Sequence, residues 1–256
     1  MYVNTRFNFS NFSLIWLSVT DEEEYISSEI FPLLTKELKK ELGIGKDVEW
    51  SMSAFLLESE GKKALFDAGY YCKGKNGILE RLKELKISPD DIDYIFITHV
   101  HWDHIDGLID EKDNIIYKNA KIYISKEEYN GKLKKYKPDK IGLVDKFKKI
   151  YDKQIVQFNF DETLPMGIIP IKAFGHTPGH TCYRKDELLI IGDLIHGEKV
   201  QFNHPEMSSV FDNDEEMGIE SRKKILNYAK ENKLYIVGHH LEFSKSCLFR
   251  DYYCNK

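Results

Sequence analysis

The sequence predicts an α/β sandwich, two mixed β-sheets packed face to face with helices outside, and three observations carry the prediction. Apolar runs of strand length fill the middle of the chain. Stretches of helical period lie before, between and after them. Polar residues, histidines above all, gather where the apolar runs stop, which places a site on loops along one edge of the sandwich.

Along the chain, residues 12–19 read as a strand. In residues 22–42 the apolar positions Ile26, Ile30, Leu33, Leu34, Leu38 and Leu42 recur near helical intervals, and Pro32 divides the stretch into two helical pieces. Residues 53–58 and 63–66 flank Glu60-Gly61 and read as a hairpin whose second strand ends at Asp67-Ala68-Gly69. Residues 78–85 form a short amphipathic helix, Pro89-Asp90-Asp91 a turn, and residues 92–98 a mostly apolar strand. Further strands are expected over 121–125, 155–160, 168–173, 181–184 and 188–191. Residues 215–232 follow as a long helix with Ile219, Ile225, Leu226 and Ala229 as its buried stripe, and 234–237 as a last strand before Gly238-His239-His240.

A chain of 256 residues in globular proportions is read as a single domain over 1–256. Its 37 basic against 42 acidic residues leave a net charge of −5, so nothing global draws it to nucleic acid or anionic lipid. The expected partner is a small-molecule substrate, with no membrane and no nucleic acid; a homodimer stays open. Cys72, Cys182, Cys247 and Cys254 form no C-x-x-C pair and read as reduced thiols of a cytoplasmic protein. The run 12–19 is too short to span a bilayer and leads straight into Asp21-Glu22-Glu23-Glu24.

All nine histidines lie at position 99 or later. Three fall in His99-Val100-His101-Trp102-Asp103-His104, an H-x-H-x-D-H pattern directly after an apolar strand. In extended backbone an i, i+2 pair projects two imidazoles to one side, while Asp103 and His104 diverge toward a second position, so two metals can be served. Imidazole with carboxylate suits Zn²⁺ first, and also Mn²⁺, Fe²⁺ or Co²⁺.

Five blocks together resemble the metallo-β-lactamase superfamily over essentially the whole chain: Phe66-Asp67-Ala68-Gly69, the motif at 99–104, Gly175-His176-Thr177-Pro178-Gly179-His180, Gly192-Asp193, and Gly238-His239-His240. The resemblance implies that fold, with His99, His101 and His176 on one metal ion. It puts Asp103, His104 and a C-terminal histidine on a second, and Asp193 bridging the pair. It also implies a hydrolase that turns a metal-generated hydroxide on an ester, lactone or phosphotriester. Lactonase-like members favour His239 as the last ligand, whereas members resembling methyl parathion hydrolase favour His240. We take His240, because residues 192–222 resemble the second group: Gly192-Asp193-Leu194-Ile195-His196, Gln201-Phe202, Pro205, Phe211-Asp212, Asp214 and Ser221-Arg222.

Asp67 is expected to orient a ligating histidine through its other ring nitrogen, and His180 to pack and hydrogen-bond behind the site. Asp103 is expected to take up the proton. His196 stands where lactonase-like members place a tyrosine; it is assigned a hydrogen bond to the developing oxyanion or leaving group, with a charge that changes in the working pH range. That replacement makes an N-acyl homoserine lactone lactonase the alternative, and a non-catalytic metal-binding scaffold is the rival from another class. Trp102 reads equally as pocket lining or packing. The Lys-rich residues 126–149, at 9 − 4 = +5, read either as solvated helix or as a lid over an anionic substrate.

Overall fold

The computed structural model describes residues 4–19, 24–72, 74–132 and 142–241. The larger sheet takes its strands in chain order: Asn4–Asn8, Ser13–Ser18, Ser53–Ser59, Lys62–Phe66, Tyr94–Phe96, Lys121–Ser125 and Ile155–Phe158. Its first pairings are antiparallel and its last three parallel. The smaller sheet runs Ile169–Lys172, Thr181–Lys185, Leu188–Ile190 and Tyr235–Val237, with only the last pair parallel. Both sheets are therefore mixed, as the sequence predicts.

Alternation along the strands explains the layers. Leu14 and Trp16 face Tyr183, Leu188 and Ile190 in a cluster between the sheets, while Ile15 and Leu17 face the helix-covered side with Ile78 and Leu82. In the smaller sheet Leu189 and Ile191 turn the other way, onto Ile225, Leu226 and Ala229 of the helix Glu215–Glu231. A strand buried on both faces reads as a continuous apolar run, which is why these segments were legible. The hairpin at Glu60-Gly61 is a two-residue loop with both φ values positive, 51° and 75°, the turn that matches strand twist.

Residues 22–42 depart from the sequence reading. Among the described residues, Glu24–Ser27 is a strand paired with Asp47–Trp50, Ser28–Ile30 is one 3₁₀ turn, and only Lys36–Glu41 is α-helical. Ile26, Ile30, Leu34, Val48 and Trp50 meet in one small cluster with Val200 and Met207, so tertiary contact decides the local structure here. The strands Asn4–Asn8 and Asp47–Trp50 were missed; neither carries an apolar run. No described helix is long and apolar enough to cross a membrane.

Candidate metal centre

The site lies where strands from both sheets end. Tyr94–Phe96 leads into Thr98-His99, and a four-residue helix, Trp102–Ile105, starts on His101 and turns Asp103 and His104 inward. The Tyr183 hydroxyl donates to Ile97 O at 2.7 Å and Thr181 N to Thr98 O at 3.0 Å, so the smaller sheet is fastened to the larger at the root of the motif. His176 follows Ile169–Lys172, Asp193 follows Leu188–Ile190, and His239 and His240 follow Tyr235–Val237.

Two buried groups of donors result. In the first, His99 Nε2, His101 Nδ1 and His176 Nε2 stand 2.9, 3.2 and 3.0 Å apart, and Asp193 Oδ2 lies 3.5 Å from His99 Nε2 and 3.4 Å from His176 Nε2. Ligands about 2.0–2.2 Å from a tetrahedral zinc stand roughly 3.3 Å from one another, close to this spacing. In the second, Asp193 Oδ1 lies 3.1 Å from His104 Nε2, and Asp103 Oδ2 lies 3.7 Å from the Nε2 atoms of His104 and His239 and 3.8 Å from that of His240. His104 Nε2, His239 Nε2 and Asp193 Oδ1 are buried without an aligned hydrogen bond. Orphaned acceptors turned toward one point fit a cation.

Behind the donors, three of the rings are held from their other nitrogen. His104 Nδ1–H donates to Asp67 Oδ2 at 2.8 Å, and His176 Nδ1–H to Asp212 Oδ1 at 3.3 Å. Thr98 Oγ1 donates to Asp67 Oδ2 at 2.8 Å and lies 3.0 Å from His99 Nδ1, which assigns the ring proton to Nδ1. Asp67 accepts from Thr98 N as well, and it holds a left-handed backbone, φ 63°, at which its carboxyl reaches both partners. His180 Nε2 accepts the backbone N–H of Asp193 at 3.0 Å. Gly192 permits this: its φ is +52° and a Cβ there would stand 2.7 Å from the His180 ring.

Burial alone would lower His104 and His176, but the neighbouring carboxylates raise both. Burial prevails elsewhere: it pushes His99, His101 and His239 well below the ordinary imidazole range, and His180 down to about 3, which leaves that ring the neutral acceptor Asp193 N requires. Burial alone would raise Asp193, but His104, His240 and His99 hold its carboxyl well below the usual carboxylate range. Asp103 is pushed up by burial.

Two expectations change. The sequence reading takes His240 alone as the last ligand, and strand alternation would turn only one of His239 and His240 toward the site, yet both face it. The strand stops at Val237 and the chain turns, with Ser51 Oγ donating to His239 O and Leu241 O at 3.1 and 2.6 Å, so strand alternation no longer applies. The second concerns His196, expected to titrate in the working range: burial pushes it well below the ordinary imidazole value, and it stays neutral there.

Of the undecided residues, Trp102 is half-buried and packs edge-on against Tyr70 at 4.7 Å, as a core contact. Of the Lys-rich stretch, residues 133–141 lie outside the described residues. Its first helix, Lys126–Asn130, carries Glu128, which the sequence reading missed. That buried carboxylate accepts from Val100 N, Thr177 Oγ1 and Gly179 N at 2.9, 2.7 and 2.8 Å, tying the motif loop to the His176 loop. Nothing in a charge run marked it. Asp212 was quoted only as part of a motif; its role behind His176 emerges from the fold.

The comparisons agree with this fold. A family model described as the metallo-beta-lactamase superfamily matches residues 49–239, which take in every member of both donor groups except His240. A probable metallo-hydrolase of Methanocaldococcus jannaschii is 30% identical over 167 residues, 64% of this chain and 65% of that protein's length. Among solved structures, AidC, a dizinc quorum-quenching lactonase, is similar with a TM-score of 0.82 at 24% identity, over 96% of this chain and 92% of that one. AbOPH, a hydrolase in the beta lactamase superfamily, gives 0.79 at 26% identity over 95% and 91%. Paired sheets with ligand-type residues at their strand ends, and a family match across most of the sequence, lead to one conclusion: the chain belongs to the metallo-β-lactamase superfamily.

Proposed function

We propose that this chain is a metal-dependent hydrolase that holds two divalent ions, zinc first among them, and opens an ester, lactone or phosphotriester bond of a small molecule. One observation carries the reading: Asp193 stands between two buried donor groups, its Oδ2 3.5 and 3.4 Å from His99 and His176 Nε2 and 3.1 Å from His240 Nε2, its Oδ1 3.1 Å from His104 Nε2. His99, His101 and His176 hold one ion, Asp103, His104 and His239 the other. His239 takes the place first expected for His240 because its buried Nε2 has no aligned hydrogen bond and its ring lies 4.0 Å from that of His104. The His240 ring lies 6.4 Å from His104 and 4.0 Å from Trp50; its Nδ1–H donates to Ser51 O at 2.9 Å and its Nε2 stands 3.1 Å from Asp193 Oδ2, so it is already partnered where His239 Nε2 is not.

Ions bound there would polarise the substrate oxygen and draw the pKa of a water toward about 7. The protein's own groups do the rest. Asp103, buried beside His104, takes up the released proton. His196 is neutral and buried, its Nδ1 3.4 Å from Ser209 Oγ; its Nε2 has no aligned hydrogen bond and stands 3.7 Å from Asp193 Oδ2, free to donate to the departing oxygen. Trp50, Phe211 and His240 wall that side of the site.

The alternative, an N-acyl homoserine lactone lactonase, has the likeness to AidC behind it, and His196 in place of a tyrosine against it. The test is elemental analysis of zinc-reconstituted protein together with a screen of aryl esters, phosphotriesters and acyl homoserine lactones. Two ions per chain and turnover of at least one class are expected. Two ions with no turnover of any class would favour a non-catalytic scaffold, and fewer than two would end the dinuclear reading.

A further inference from the structure

The helix Glu215–Glu231 buries an arginine in its core-facing stripe. Arg222 is 1% exposed, and all its nitrogens are engaged: Nε donates to Leu194 O at 2.8 Å, Nη1 to Pro205 O and Met207 O at 3.2 and 3.0 Å, and Nη2 to Asp212 Oδ2 at 3.0 Å. Asp212 is equally buried. Its Oδ1 accepts from His176 Nδ1–H, and its Oδ2 accepts also from Ser209 N at 3.3 Å. Asp212 lies near enough to His176 and His196 for the three to form a metal-capable group. The guanidinium on Oδ2 argues against that: a cation already occupies the carboxylate.

The neighbours of Asp212 act on the second histidine. The Phe211 ring lies 5.3 Å from the His196 ring at 36°, and Ser209 Oγ stands by His196 Nδ1. Gln201 Oε1 accepts from His196 N at 2.7 Å, while Gln201 Nε2 donates to Met207 O, the same carbonyl that Arg222 holds. Residues 209–212 thus touch His176, assigned to the first ion, with one side chain and His196, assigned to neither ion, with two others.

We infer that Asp212 and Arg222 form a buried positioning pair that sets the orientation of His176 and His196 together, so that ion affinity at the first position and catalysis by His196 depend on a helix that touches neither ring. The inference rests on the hydrolase reading above and deepens it. It also gives physical content to a motif, Phe211-Asp212 with Ser221-Arg222, that sequence comparison treats only as a signature. Ser221 Oγ donates to Phe174 O at 2.6 Å, anchoring the same helix to the strand exit that carries His176.

The test compares Asp212→Asn with Ala229→Gly, a change in the same helix that costs stability without touching the pair. Cobalt and zinc affinities are read by chelator competition, the cobalt absorption spectrum reports ligand geometry, and thermal melting reports the fold. Asp212→Asn is expected to bind the first ion about ten- to a hundredfold more weakly, with a shifted cobalt spectrum. Ala229→Gly should melt lower with affinity and spectrum unchanged. Asp212→Glu, which keeps the charge against Arg222 but displaces it by a methylene, should show the same loss and serves if the Asn variant does not fold. Unchanged affinity and spectrum in the Asp212 variants, or an equal loss in Ala229→Gly, would overturn the inference. Wild-type protein that takes up no ion would instead overturn the hydrolase reading.

Discussion

The motif loop at 98–104 and the turn at 238–241 bring histidines to the same centre by different means. In the loop, a strand end and a four-residue helix fix each side chain, and Asp67 and Thr98 hold rings from behind. In the turn, residues 238–241 belong to no regular element, and two adjacent rings enter side by side, placed by Ser51 from a distant strand exit. Where local structure is regular, sequence spacing tells which side chain does what. Where a turn is held from outside, spacing alone tells only that a histidine is present.

The largest effect is expected where the two regions meet. Asp193→Ala removes the one carboxylate both donor groups share and should lower bound metal from two ions to one or none, with activity lost; elemental analysis that still finds two ions would break the scheme. Next is the turn itself. His239→Ala should leave one ion per chain, whereas His240→Ala should keep two, and the reverse counts would return the ligand role to His240. Third, Asp67→Asn tests the loop's backing: about a ten- to hundredfold loss of affinity for the second ion, read by chelator titration, with a smaller loss for the first, which Asp67 reaches only through Thr98 and His99.

The smallest effect belongs to His196→Phe. Loss of one neutral hydrogen bond is worth roughly a tenfold fall in rate. The sign of the pH effect follows from burial: a ring held neutral well below its ordinary value, about 6.5, carries no charge at either end of the range from about pH 6 to 8. Wild-type and variant profiles should therefore run parallel there. A limb that vanishes in the variant would show that His196 titrates after all.

Much of the fold was legible because strands buried on both faces are continuous apolar runs, as in 53–58 and 188–191, and because H-x-H-x-D-H is dense with ligands over a few residues. The misses share a cause. Glu24–Ser27 and Asp47–Trp50 are strands only because they pair with each other and pack under Val200 and Met207. Glu128 looks like any acidic residue of a solvated helix until the His176 loop is laid across it. Arg222 was quoted in a motif, yet its burial depends on three carbonyls and a carboxylate brought in from elsewhere. Groups that support a site from behind are chosen by the fold, and sequence distance hides them.

The fastening of the two sheets by Tyr183 and Thr181 has a thermodynamic corollary. The donors of each group come from both sheets, so an ion recognises only the state in which the sheets are docked, and its binding energy adds to the stability of that whole state instead of a local loop. Free ion at a hundred times its dissociation constant adds about 2.7 kcal/mol per site by mass action. Amides in strands far from the centre, such as Leu14 and Leu57 at the sheet-to-sheet core, should then exchange with solvent more slowly when ions are present. A chelator, on this account, is a denaturant that works by parting the two halves of the sandwich.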